Sequence, residues 1–137
     1  MSDIPARLRR LVGLRAGNQC EYCRLSQEGQ EATFHIDHIL PKSAGGRMQA
    51  TNLALACVSC SLRKEARRSA IDPITNRRVA LFHPRRQRWR DHFRWDGYRI
   101  VGLTPTGRVT VAALQMNRPL ILAIRQEEAA RGRTFEQ

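Results

Sequence analysis

The sequence predicts a small α+β fold, and three features carry that prediction: two C-x-x-C pairs, short apolar stretches alternating between strand and helix periods, and a strongly basic second half. The 137 residues suit one domain, and the 42% apolar content supports a core small enough to gain from a staple.

Pro5 to Ala16 reads as a helix, with proline in its first turn, Leu8, Leu11, Val12 and Arg15 at helical spacing, and Gly17-Asn18 as the stop. Thr33 to Leu40 alternates and is rich in β-branched residues, as a strand would be, and Pro41 ends it. Ser43 to Gly46 is a loop, Leu53 to Ala56 a second short strand, and Cys57 opens a helix running to about Arg68. Tyr98 to Leu103 reads as a strand, and Thr104 to Gly107 as a turn. Val109 to Met116 fits either period, with Ala112, Ala113 and Leu114 tipping it to helix. Pro119 to Arg131 is a further helix. The expected organisation is one domain over 1–137, with a core at about 19–68 and a mixed α/β extension at about 69–137.

No apolar run resembles a signal peptide or approaches the roughly 20 residues needed to cross a bilayer, so a cytoplasmic protein is expected. In that compartment cysteines serve as metal ligands more often than as disulfides. Cys20 and Cys23 form one pair, Cys57 and Cys60 another, with 33 residues between them. Two such pairs bring four thiolates onto one tetrahedral ion, Zn²⁺, and fill its shell, so the site is structural.

Lysine and arginine exceed acids by 12, and all but Lys42 and Lys64 of these cations are arginine. Guanidinium forks grip phosphate oxygens in pairs, which points to nucleic acid. From Arg63 to Arg99, eleven arginines and Lys64 face four acids, a net +8 in about a quarter of the chain. Lys42, Arg63, Lys64, Arg67, Arg85, Arg86 and Arg88 are the candidate contacts to a DNA backbone, positioning a duplex with weak sequence preference. Trp89, Phe93 and Trp95 can stack on bases, although aromatics in so small a domain serve first as core. His83 and His92 either line the site or are structural, the more common role of lone histidines.

Between the cysteine pairs stand His35, Asp37-His38, Pro41, Gly45-Gly46 and Asn52-Leu53; Cys57-x-x-Cys60-x-x-x-Lys64 follows. This series resembles the zinc-containing form of the HNH endonuclease family. Ile71 to Pro73, Leu81 to Arg85, Trp89, His92-Phe93, Gly102 to Arg108 and Met116-Asn117 extend the likeness to small stand-alone bacterial members, over roughly Gln19 to Pro119. The resemblance implies a ββα-metal finger that cuts DNA with Mg²⁺ or Mn²⁺ and leaves a 5′-phosphate and a 3′-hydroxyl. It also implies His38 as general base, Asp37 as first ligand of the catalytic ion and Asn52 as the residue fixing the loop.

Independently, imidazole titrates near neutrality and suits a base, and strand alternation sends adjacent Asp37 and His38 to opposite sides. His35, two residues before Asp37, either steadies the site or packs. The chain departs from the family at its third signature position, where His or Asn gives way to Ser61. Glu65, one helical turn on, is then either the compensating ligand or a solvated charge. The alternative to a nuclease is a catalytically weakened, HNH-derived DNA-binding module; a zinc ribbon for RNA is disfavoured, having no use for Asp37-His38 with Asn52.

Overall fold

The computed structural model describes residues 4–135 and divides into two compact units, residues 4–68 with His83–Arg86, and Ser69–Phe82 with residues 87–135. No helix among the described residues is long and apolar enough to cross a membrane.

In the first unit α1 (Ala6–Arg15) starts after Pro5 and stops where Gly17 and Asn18 take positive φ, as the sequence implies. It buries Val12 and sends the Arg15 guanidinium to the carbonyls of Ala50 and Leu53, at 3.0 and 2.7 Å. Next come β1 (His35–His38), β2 (Leu53–Ala56) and α2 (Val58–Lys64), in the expected ββα order. The strands are antiparallel, pairing His35 with Ala56 and His38 with Leu53. All four residues of β2 are buried, so it forms the floor of this unit.

Both β1 and α2 are shorter than expected. The strand pairs only where β2 lies opposite, which leaves Thr33, Phe34, Ile39 and Leu40 outside the ladder. The helix ends at Lys64, because Glu65 adopts φ 47 and leaves the helical path.

The second unit holds two hairpins and three helices: β3 (Ser69–Ile71) with β4 (Arg78–Ala80), α3 (Trp89–His92), β5 (Phe93–Asp96) with β6 (Arg99–Gly102), α4 (Pro105–Ala113) and α5 (Pro119–Ala130). The first hairpin was not anticipated. Its turn is built by Asp72, whose carboxylate accepts from Ile74 N (3.2 Å), Thr75 Oγ1 (2.8 Å) and Arg108 Nε and Nη2 (3.1 and 2.9 Å). In the second hairpin Gly97 takes φ 62 in a two-residue loop, as strand twist requires. Thr104 to Gly107 is no turn but a helix start, with Thr104 accepting from Gly107 N at 3.0 Å and Pro105 at the first helical position. Gly107 has to be glycine there, since a Cβ would fall 2.0 Å from the His92 carbonyl oxygen.

Trp89 and Phe93 lie in this unit's core beside Phe82, Ile100, Val109, Leu114 and Ile121. Arg125 is also buried, donating to the Tyr98 carbonyl (2.8 Å) and lying over the Trp95 ring at 5.1 Å.

The Arg108 guanidinium holds the Asp72 carboxyl well below the usual carboxylate range. A carboxylate depressed in the folded state stabilises above the unfolded value, near 3.9, and loses that contribution as pH falls through its folded pKa. Asp72→Asn should therefore melt below the wild type at pH 7, with the gap narrowing below about pH 4, as followed by circular dichroism.

Candidate metal centre and active-site groove

Cys20 and Cys23 lie in a tight turn in which the Cys23 amide donates to the Cys20 sulfur at 3.4 Å. Cys57 caps α2 and accepts from the Cys60 amide at the same distance. The four sulfurs lie within 4.8 Å of one another, and Cys23 Sγ is 3.7 Å from Cys57 Sγ. Sulfurs on a tetrahedral zinc at about 2.3 Å are separated by about 3.8 Å, so the cluster can hold zinc. All four cysteines are buried. Mutual hydrogen bonding, Cys20 foremost, lowers the Cys57 pKa strongly and raises those of Cys23 and Cys60, as expected where four thiols cannot all ionise without a cation between them.

The first cysteine turn is docked onto β2 by Glu21. Its amide donates to the Leu55 carbonyl and its carboxylate accepts from the Leu55 amide, both at 2.8 Å. Arg85 pairs with the other Glu21 oxygen. Burial pulls the Arg85 pKa down to about 10, so it remains cationic at neutral pH.

A groove of about 630 Å³ runs beside β1, bordered by His35, Asp37, His38, Lys42, Ser61 and Glu65. Asp37 is only 8% exposed and is held on two sides: Tyr22 donates its hydroxyl to Oδ2 at 2.7 Å, and Lys64 Nζ lies 3.1 Å from Oδ2 and 3.4 Å from Oδ1. Lys64 also donates to the carbonyls of His38 (3.3 Å) and Ile39 (3.1 Å), tying the last turn of α2 to the end of β1. Burial raises the Asp37 pKa, and the Lys64 charge and Tyr22 hydrogen bond oppose it.

His38 is half-buried, and its Nε2 is buried without a hydrogen-bond partner among the described residues. Burial and the Lys42 charge lower its pKa, favouring the neutral imidazole that a base must be. His35 is exposed, which rules out packing, and its Nδ1 is 2.8 Å from the Ser61 hydroxyl.

Asn52 is buried and clamps the loop between the strands. Its Oδ1 accepts from the Leu40 amide (2.8 Å), and Nδ2 donates to the carbonyls of Leu40 and Arg47 (3.0 Å each). Gly46 makes room for this clamp, since a Cβ would fall 1.7 Å from the Leu40 oxygen and 2.9 Å from Asn52 Nδ2.

The geometry corrects two of the cations expected on phosphate. Lys64 is 2% exposed and bound to Asp37, and Arg85 is half-buried against Glu21, so neither presents its charge to solvent. Arg63 is half-buried and donates to Ser59 at 3.2 Å. Lys42, Arg67 and Arg86 are exposed on the first unit, and Arg88 on the second. Glu65 borders the groove, but beyond the helix end rather than on a helical face shared with Ser61. His83 accepts from the amides of Arg85 and Arg86 (3.2 and 3.3 Å), and His92 Nδ1 is 2.6 Å from Thr104 Oγ1; both are structural. Tyr22 was missed, although an aromatic hydroxyl between two metal-binding cysteines must be buried and must find a partner.

Asn52→Ala removes three hydrogen bonds and strands the backbone groups of Leu40. It should destabilise the first unit by about 2–4 kcal/mol in denaturant titration, with the zinc content of the folded fraction unchanged.

Comparison with known proteins places this geometry. The HNH endonuclease profile matches residues 20–67, which span both cysteine pairs, both strands and α2. No curated protein and no solved structure matches the chain. The segment 20–67 belongs to the HNH endonuclease family.

Proposed function

We infer that the chain acts as one HNH endonuclease domain, hydrolysing or nicking phosphodiester bonds in DNA with low sequence specificity. The observation that carries this reading is the pairing of His38 and Asp37 at the end of one strand on a single groove. His38 is the general base: burial and the Lys42 charge lower its pKa, and its Nε2 has no partner among the described residues. A buried polar atom without a partner costs about 1–3 kcal/mol, and such atoms are found where function requires them.

Asp37 offers a carboxylate to a hard divalent ion. Tyr22 and Lys64 use part of its accepting capacity and fix its orientation, and a carboxylate has about four acceptor positions in all. Ser61 and Glu65 border the groove beside it. When bound, Mg²⁺ or Mn²⁺ supplies positive charge for the phosphate and the leaving oxygen. Asn52 holds the loop from Leu40 to Arg47 and with it the backbone that follows His38. Zn²⁺ on the four cysteines keeps the cysteine turn, strand pair and helix in register.

Two observations favour a second reading, in which the chain binds DNA without cutting it. The Asp37 charge is already balanced by Lys64, and a neutral hydroxyl stands at the third signature position. Nicking of supercoiled plasmid with Mg²⁺, Mn²⁺ or Ni²⁺ separates the two. The nuclease reading expects His38→Ala to lower the rate at least about 100-fold, as loss of a general base does. Activity that appears only in Ser61→Asn would make the natural chain a binder.

The exposed cations predict the form of the binding curve. Lys42→Ala and Arg67→Ala should each reduce the slope of log K against log salt by about 1, equally for unrelated duplexes; a change that depends on sequence would contradict backbone contact.

A further inference from the structure

We propose that His35 is the nitrogen ligand of the catalytic divalent ion and that Ser61 orients it rather than binding the ion. This rests on the metal-dependent reading above and assigns a residue within it. His35 and Asp37 stand two apart on β1, so both project from one face with origins about 7 Å apart, a span two ligands of one ion can close. Both border the groove, as does Ser61.

The hydrogen bond at 2.8 Å between His35 Nδ1 and Ser61 Oγ sets the chemistry. With the Ser61 hydroxyl as acceptor and Nδ1–H as donor, one of the two directions this contact allows, the lone pair is left on Nε2, and metal-binding histidines are held by a partner on the other nitrogen in this way. His35 Nε2 makes no hydrogen bond to the described residues, and the side chain is exposed. An imidazole delivered from β1 thus takes the place of the side chain that the family carries on α2. Two protein ligands suffice, because such ions complete their shell with water and phosphate oxygens. A nitrogen in the shell also predicts tighter binding of Mn²⁺ and Ni²⁺ than of Mg²⁺.

The test uses the full zinc-loaded chain without DNA, titrated with MnCl₂ and read by electron paramagnetic resonance. The wild type should take up one Mn²⁺ and show ¹⁴N modulation in pulsed spectra. His35→Ala, with its zinc content intact, should bind at least tenfold more weakly and lose that modulation. Ser61→His in the same background should restore both, by supplying the imidazole from the helix. Ser61→Ala should weaken binding only a few-fold and keep the ¹⁴N signal. Wild-type affinity and modulation in His35→Ala would overturn the assignment while leaving the nuclease reading in place. No Mn²⁺ uptake by the wild type would overturn both.

Discussion

Four cysteine sulfurs gathered within 4.8 Å of one another anchor the elements that carry several of the groups bordering the groove. Cys57 and Cys60 fix the start of α2, and that helix carries Ser61 and Lys64 to β1. Cys20 and Cys23 fix the turn that holds Tyr22 against Asp37. The chain between the two pairs is long and mostly irregular, so without a shared ion little but the short strand ladder would hold these parts together. Zinc binding of about 10–16 kcal/mol, as in small zinc peptides, is comparable to the whole stability of a small domain. The metal centre and the groove are in this sense one construction.

A second theme is how the fold handles buried charge. Lys64 and Asp37, Arg85 and Glu21, and Arg108 and Asp72 are paired ions with at least one partner out of solvent. Leaving either partner alone would be costly, so each pair fixes a local geometry more than it adds net stability. Asp37 is the instructive case. Lys64 holds the carboxylate in one orientation and lowers its net charge, which shapes the site and weakens its attraction for a cation. In the proposed reading, a nitrogen donor from His35 adds binding without further negative charge.

These pairs also qualify what composition implies. Arg15, Arg85, Arg108 and Arg125 are committed to carbonyls or carboxylates within their own units. The large positive charge is therefore part scaffold and part surface. The remaining exposed arginines are what a polyanion would meet, and they still outnumber the exposed acids.

Much of this is legible in the sequence. Cysteine spacing implied the four-cysteine cluster because two C-x-x-C pairs suit one tetrahedral ion, and Gly17, Pro119 and the buried pattern of β2 marked elements by chemistry that acts locally. The β3–β4 hairpin was missed because its turn is stabilised by Arg108, far along the chain, and the start of α4 because Thr-Pro-Thr-Gly serves turns and helix caps alike. Side-chain direction was beyond reach for a related reason. Sequence alone determined which groups are available for chemistry: a base, a carboxylate, four thiols, and a serine in an unusual place. Only the tertiary structure decided that Lys64 turns inward to Asp37 and that Ser61 meets His35, because those contacts depend on where a helix end comes to rest against a strand.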